Sequence, residues 1–190
     1  MILAGGRSRR MGRDKLLLRV GGETLVERVS GALSARCGEV ILAGGGKAPP
    51  GVRTVGDERP GEGPLAGMEA GLAAARFPLV FVAAGDMPFL STGLVDHLLQ
   101  VLRDRGALAA VPDDGGRTHP LCAAYSREVL PRLRCALDGG VRAARGFLDG
   151  LDAVAYVPQA ELRSFGEPDL LLMNVNSPDD LARARSMVGE

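Results

Sequence analysis

The sequence predicts an α/β fold: a three-layer α/β/α sandwich around a mostly parallel central sheet, with residues 1–190 forming one domain. Three observations carry that prediction. Apolar runs of strand length alternate with segments whose apolar residues recur at helical spacing. One run, PLVFVAAGD, is almost uninterrupted in its apolar character, as expected for a strand covered on both faces. Glycines and charged residues gather just behind the apolar runs, where such sheets bind their ligands.

Taken in order, Met1–Ala4 is a strand stub. GGETLVERVSGALSAR follows as a helix, with Leu25, Val26, Val29, Ala32 and Leu33 on one face. EVILAG is a second strand, ended by Gly44-Gly45-Gly46, and VRTVGD is a short third. GPLAGMEAGLAAAR reads as a small-residue helix, with Pro64 suited to its first turn. PLVFVAAGD is the central parallel strand. STGLVDHLLQVLRDR is an amphipathic helix capped by Ser91 or Thr92. ALAAVP and HPLCAAYS read as strands, REVLPRLRCAL and VRAARGFLDGL as helices, and AVAYVP and LLLMNVN as late strands. SPDDLARARSMV closes the chain as a helix, with Ser177 as N-cap and Pro178 in its first position.

Composition removes whole classes of function. Lysine plus arginine and aspartate plus glutamate each number 23, so no global basic field recruits nucleic acid. Aromatic residues make up 4% and tryptophan is absent, which leaves no stacking platform for single strands. Cys37, Cys122 and Cys135 are too few and too widely spaced for a disulfide framework or a Cys-x-x-Cys knuckle, as expected in a reducing cytoplasm. Arg7 to Arg10 come after the apolar start and not before it, unlike a signal peptide, and no apolar run is long enough to span a bilayer. The expectation is a cytoplasmic protein with neither membrane nor nucleic acid as partner.

The chemistry sits behind the strands. Gly5 and Gly6 follow the first strand, and Arg7, Arg9, Arg10, Arg13 and Lys15 come next. Gly-x-Gly-x-x-Gly is absent, and Lys15 is followed by Leu16 and not by Ser or Thr, so neither a dinucleotide fingerprint nor a Walker loop is present. The ingredients still suit a phosphate cradle: glycines expose backbone N–H groups, and the cations neutralise a triphosphate. A glycine turn with a solvated basic face has equal standing on these residues alone. Asp86 ends the most apolar strand, where a carboxylate can hold Mg2+, and a turn aspartate is the competing reading. Asp57 ends the third strand, where it can reach the same ligand or its sugar, and a plain turn residue is the equal alternative. His119 precedes a proline at a strand edge with no triad partner beside it, and Cys122 reads as a buried small hydrophobe. The only asparagines, Asn174 and Asn176, stand together before the last helix, and the only lysines are Lys15 and Lys47. Amides there can bond a polar heterocycle or orient a metal ligand. Capping the next helix is the weaker alternative, because Ser177 already serves that end.

Assembled, these pieces resemble the molybdopterin nucleotidyltransferase family, specifically the molybdenum cofactor guanylyltransferases, over the whole chain and in the right order. The resemblance rests on Leu3-Ala4-Gly5-Gly6, Ser8, Arg10-Met11-Gly12 and Asp14-Lys15; on Gly63-Pro64-Leu65-Ala66-Gly67-Met68; on Gly85-Asp86-Met87-Pro88; on His119-Pro120-Leu121; and on Asn174-Val175-Asn176-Ser177-Pro178. It implies a Rossmann-like, GT-A-like nucleotidyltransferase fold of the nucleotide-diphospho-sugar transferase type. By resemblance, Leu3, Ala4, Gly5, Gly6, Lys15, Asp57 and Asp86 bind the nucleotide, and Arg10, Lys15 and Asp86 are catalytic. Asp86 holds Mg2+, for which Mn2+ can substitute, while His119, Asn174 and Asn176 lie on the acceptor side. The implied substrates are GTP and molybdopterin or molybdenum cofactor, with transient contact to molybdenum-insertion or target enzymes.

Two departures stand out. Some family members carry an asparagine behind the second strand that contributes to guanine binding, where this chain has Gly44-Gly45-Gly46. The first strand is also short against the family's, so either the natural start is expected upstream or the strand is simply short. Gly6 looks like the GTP-using branch, since the CTP-using branch more often has Leu-Ala-Ala-Gly. A CTP-dependent molybdopterin cytidylyltransferase or another small nucleotidyltransferase is the alternative within the class. A non-catalytic nucleotide-binding regulator is the alternative outside it, and the presence of both Lys15 and Asp86 argues against that.

Overall fold

The structure is a computed structural model, and it describes residues 1–4 and 15–190. Its strands are β1 (Ile2–Leu3), β2 (Arg19–Val20), β3 (Glu23–Thr24), β4 (Ile41–Ala43), β5 (Arg53–Val55), β6 (Leu79–Ala84), β7 (Ala109–Asp113), β8 (Cys122–Ser126) and β9 (Val154–Pro158). Its helices are α1 (Leu25–Ser34), α2 (Pro64–Ala74), α3 (Thr92–Asp104), α4 (Leu130–Asp138), α5 (Ala144–Asp149), α6 (Gln159–Leu162), α7 (Pro168–Leu171) and α8 (Pro178–Ser186).

Seven of the strands form one sheet in the order β5-β4-β1-β6-β8-β7-β9. Pairing is parallel from β5 through β4 and β1 to β6, and again between β7 and β9. Only β8 runs against its neighbours, β6 and β7, within this sheet. The central apolar strand β6 is thus parallel to one neighbour and antiparallel to the other, which alternation of helices and strands cannot reveal.

Alternate strand residues feed two cores. Ile2, Leu42, Phe81, Ala83 and Ala124 pack with Val29 and Leu33 of α1 and with Leu94 and Leu98 of α3. Leu3, Ile41, Val80, Val82 and Tyr125 turn to the other face, against Leu65, Met68 and Leu72 of α2 and Leu133 and Leu137 of α4. That two-residue alternation makes three layers, because each side of the sheet must cover a row of apolar side chains. Each such large side chain, fully removed from water, contributes about 1.5–3 kcal/mol.

Two sequence readings need correction. The segment GGET does not belong to the first helix: Gly21 and Gly22, at φ 63° and 80°, turn the β2–β3 hairpin, and α1 starts only at Leu25. Paired positive φ angles are what a two-residue hairpin turn requires, and glycine meets them without strain. Thr24 then caps α1 in a reciprocal box with Glu27. Nor is LLLMNVN a strand. Pro168 starts the short helix α7, and residues 173–176 run on without pairing, held at Val175 by its N–H donating to the Asp86 carbonyl (2.9 Å). A third apolar cluster carries this segment, with Met173 and Val175 packed against Val20, Leu25, Leu181 and Phe89. An apolar run that packs on a hairpin and a helix has the same composition as a strand, so periodicity could not separate the two.

Candidate active site

Strand order turns at β1: β4 and β5 lie on one side of it and β6 on the other. In open parallel sheets the crevice outside the carboxyl ends of the strands at such a reversal is where ligands sit. A cleft of about 980 Å³ opens there, walled by Leu3 and Ala4 behind β1 and by Ala84, Gly85 and Asp86 behind β6. Pro64 also reaches it, and α2 behind Pro64 starts at Gly63 with no side-chain cap among the described residues.

Gly85 brings β1 and β6 close enough to shape this floor. A Cβ there would stand 2.8 Å from Leu16 Cδ2 and 3.2 Å from the Leu3 carbonyl oxygen. Leu16 is buried in a 3-10 turn (Lys15–Leu17), and that anchor aims Lys15 across the gap. The Lys15 ammonium forms an ion pair with Asp86 Oδ2 and donates to Asn176 Oδ1 at 2.8 Å. Three residues 161 positions apart in sequence at their extremes therefore meet at one point.

Each partner is held from behind. Asn176 N–H and Ser177 N–H both donate to Asp180 Oδ2 (2.8 Å each), while Asp180 N–H donates to Ser177 Oγ (3.1 Å). These bonds, first among them that from Asn176, hold the Asp180 carboxyl below its ordinary range. Asn174 also faces the cleft, and its Nδ2 donates to the Leu172 carbonyl at 3.1 Å. On the far side, Arg28 donates to the Pro88 carbonyl (2.9 Å) and stacks over Phe89, steadying the loop behind Asp86.

Asp86 is 9% exposed, and its Oδ1 is a buried oxygen without a hydrogen-bond partner among the described residues. A buried acceptor without a donor is costly, and a hard cation that takes carboxylate oxygens relieves that cost. The donor set therefore fits Mg2+. No group of three or more His, Cys, Asp or Glu side chains able to hold a metal occurs among the described residues, so one carboxylate plus substrate oxygens is the arrangement that fits.

Lys15, Asp86, Asn174, Asn176, Leu3, Ala4 and His119 thus share one cleft. Gly5, Gly6 and Arg10 lie outside the described residues. Asp57 stands behind β5, two strands from β1, and does not line the cleft; its Oδ1 accepts from Arg59 N–H at 2.9 Å. His97 is remote from the cleft, paired with Glu161 (3.1 Å) and stacked on Phe165. Cys122 touches the cleft but is 1% exposed, and burial pushes its thiol up to about 12, which leaves no thiolate for nucleophilic work. Sequence reasoning missed three arginines at the cleft, Arg117, Arg145 and Arg183. In a chain where arginine supplies nearly all the positive charge, nothing local marks these three.

A cleft at the strand reversal that gathers, among the described residues, backbone, the Lys15 ammonium, three guanidiniums, the Asp86 carboxylate and amides fits a nucleotide-handling transferase. The MobA-like NTP transferase domain model matches residues 1–154. A relative from Pelotomaculum thermopropionicum, named "Probable molybdenum cofactor guanylyltransferase", is 38% identical over 98% of this chain and 91% of its own. One of the same name from Mycobacterium avium is 38% identical over 98% and 95%. The structure of molybdopterin-guanine dinucleotide biosynthesis protein A from Archaeoglobus fulgidus superposes with a TM-score of 0.82 at 29% identity, covering 98% of this chain and 96% of that one. A 2-C-methyl-D-erythritol 4-phosphate cytidylyltransferase from Thermus thermophilus shares the fold (TM-score 0.73, 24% identity, 98% and 96% covered). The chain belongs to the MobA-like NTP transferase family and is a nucleotidyltransferase.

Proposed function

We propose that this protein transfers GMP from GTP to the terminal phosphate of molybdopterin or molybdenum cofactor, releasing pyrophosphate and forming the guanine dinucleotide cofactor. The observation that carries the reading is the meeting of Lys15, Asp86 and Asn176 at the strand reversal, with one buried Asp86 oxygen unpartnered among the described residues. The relatives' names supply the substrates.

An acceptor phosphate oxygen attacks the α-phosphorus in line, and the bond to the β-phosphate bridging oxygen breaks. The acceptor is already anionic, so the step needs neither a protein nucleophile nor a strong base. It needs positioning and charge neutralisation. Lys15 supplies a compact charge to the phosphates, oriented by Asn176. The first turn of α2 offers N–H groups to the nucleotide; by resemblance Leu3, Ala4, Gly5 and Gly6 contact its base and phosphates, Asp57 binds it as well, and Arg10 joins Lys15 in catalysis. Asn174 and His119 belong to the acceptor half. Asp86 would hold Mg2+, or Mn2+ in its place. Bound there, the ion supplies Lewis-acid neutralisation of the charge developing on the phosphates.

No helix among the described residues is long and apolar enough to cross a membrane. We assign the enzyme to the cytoplasm, with residues 1–190 acting as one domain. Pyrophosphate release with molybdopterin supplied, compared between GTP and CTP, tests the reading. GTP is expected to win by at least tenfold, and preference for CTP would make the enzyme a cytidylyltransferase.

A further inference from the structure

The turn between β7 and β8 holds a carboxylate that the reaction above does not use. Asp114 Oδ1 accepts from the N–H groups of Gly116 (3.1 Å) and Arg117 (2.9 Å), and its Oδ2 accepts from His119 Nε2 at 2.7 Å. Its own N–H donates to the Arg117 carbonyl (3.2 Å), so the turn closes on itself. Behind it, Asp113 bridges Thr118 and His119 N–H donates to the Pro112 carbonyl at 3.0 Å. The His119–Pro120 corner is pinned from two sides. The buried Tyr125 hydroxyl donates to the Pro120 carbonyl (2.8 Å), and Ala84 N–H, two residues before Asp86, donates to the Leu121 carbonyl (2.8 Å). The turn is thus built onto the floor of the active cleft.

Two side chains of this turn, Arg117 and His119, line that cleft. The Arg117 guanidinium forms no ion pair among the described residues, whereas the His119 side chain is only 11% exposed and fully engaged on one nitrogen. The bond to His119, followed by the two backbone N–H groups, keeps the Asp114 carboxyl below its ordinary range, so it is an anion that only accepts. His119 Nε2 must therefore carry the proton, and Nδ1 is the nitrogen left for a ligand.

We propose that Asp114 is a positioning residue for the acceptor: it sets the Nε2–H tautomer of His119 and the approach of Arg117 together. The pair then meets a ligand that carries a phosphate for the guanidinium and an N–H or O–H donor for Nδ1. The proposal rests on the transferase reading for the identity of the acceptor, but the tautomer and the anion site stand apart from turnover.

Asp114→Asn is the discriminating variant. Its Oδ1 can still accept from Gly116 and Arg117, but its amide now donates towards Nε2 and forces the proton to Nδ1. The chain has two histidines, so nitrogen-15 correlation spectra of the imidazoles resolve His119 from His97. The free wild-type protein is expected to show the Nε2–H form at His119 and the variant the Nδ1–H form. Inorganic phosphate should shift the His119 signals and spare those of His97, and should bind Asp114→Asn no more weakly than the wild type, because the variant turns Nδ1 towards the anion as a donor and removes a negative charge. In turnover, the KM for molybdopterin should rise about tenfold, while kcat and the KM for GTP stay within about twofold. Asp114→Glu should recover part of the loss. An Nδ1–H form in the wild type, His119 signals that phosphate does not move, or parallel rises in both KM values would overturn the proposal. Normal tautomer and phosphate results without GMP transfer by the wild type would instead count against the transferase reading.

Discussion

Replacing Asp86 by asparagine separates catalysis from folding, because the structure assigns the two effects very different sizes. The substitution keeps the side chain's volume and removes one charge. Lys15 loses its ion pair yet keeps its bond to Asn176 at 2.8 Å, and the amide oxygen can still accept from the ammonium. The carboxylate and ammonium are 12% and 18% exposed, so the pair is partly solvated, and full loss of a buried pair, about 3–5 kcal/mol, is an upper bound. With those remaining contacts, about 1 kcal/mol of stability is at stake, equivalent to about 2–4 °C in Tm for a chain of this size. The transition state loses much more. An oriented charge that acts on the transferring phosphate is worth about 10²–10³ in kcat, or about 3–4 kcal/mol. The assay is pyrophosphate release at saturating GTP across a Mg2+ titration, with thermal unfolding run on the same samples. A kcat within fivefold of wild type, or a loss matched by the unfolded fraction, would refute the assignment of Asp86 to the reacting centre. Lys15→Met combined with Asp86→Asn should cost far less than the product of the single losses, since residues that act as a unit are not additive.

Other expectations follow from other parts of the fold. Glu69 of α2, 6% exposed, accepts from Arg59 Nε and Arg134 Nε at 3.0 Å each, so Glu69→Ala should lose about 2 kcal/mol by urea unfolding, while Glu69→Gln should lose less. Ser177→Ala removes the cap on α8, for about 1 kcal/mol, and because that box also holds Asn176, the variant should lower kcat more than its Tm change explains. Asp180 and Asp114 have folded pKa values below the ordinary aspartate value of about 3.9, so their contributions are complete above that value and fade as the pH falls through the lowered ones. Urea midpoints measured between pH 2 and 5 should fall towards acid, and Asp180→Asn should flatten that fall; an unchanged slope would contradict the assigned bonds.

Much of this site is legible in the sequence because rarity and position coincide there. One of only two lysines in an arginine-rich chain and one of its only two asparagines meet over the aspartate behind the most apolar strand. Strand ends are readable because apolar runs stop abruptly, and ligand sites of parallel sheets lie there. The hairpin at Gly21-Gly22 escaped notice because its strands are two residues long, too short for periodicity to register. The antiparallel course of β8 was hidden for a different reason: direction depends on how the chain returns, and CAAYS has the same composition either way.

That antiparallel strand also explains why Arg117 and Asp114 could not be read beside His119, the residue of this turn that the resemblance places on the acceptor side. A helical crossover into a parallel strand would carry the chain away to the far end of the sheet between β7 and β8. A hairpin instead returns it at once, so the turn at residues 114–119 falls at the same sheet end as Asp86. Arg117 and His119 reach the cleft through that reversal, and Asp114 is what closes it. In the proposed reading, the nucleotide half of the site depends on the parallel strands β1 and β6, and the acceptor side at His119 on the one strand that breaks the pattern. The two halves are then separable: a change in the β7–β8 turn should move acceptor affinity without touching GTP, and one at Gly85, where a Cβ would meet Leu16 at 2.8 Å, should disturb both by shifting the shared floor.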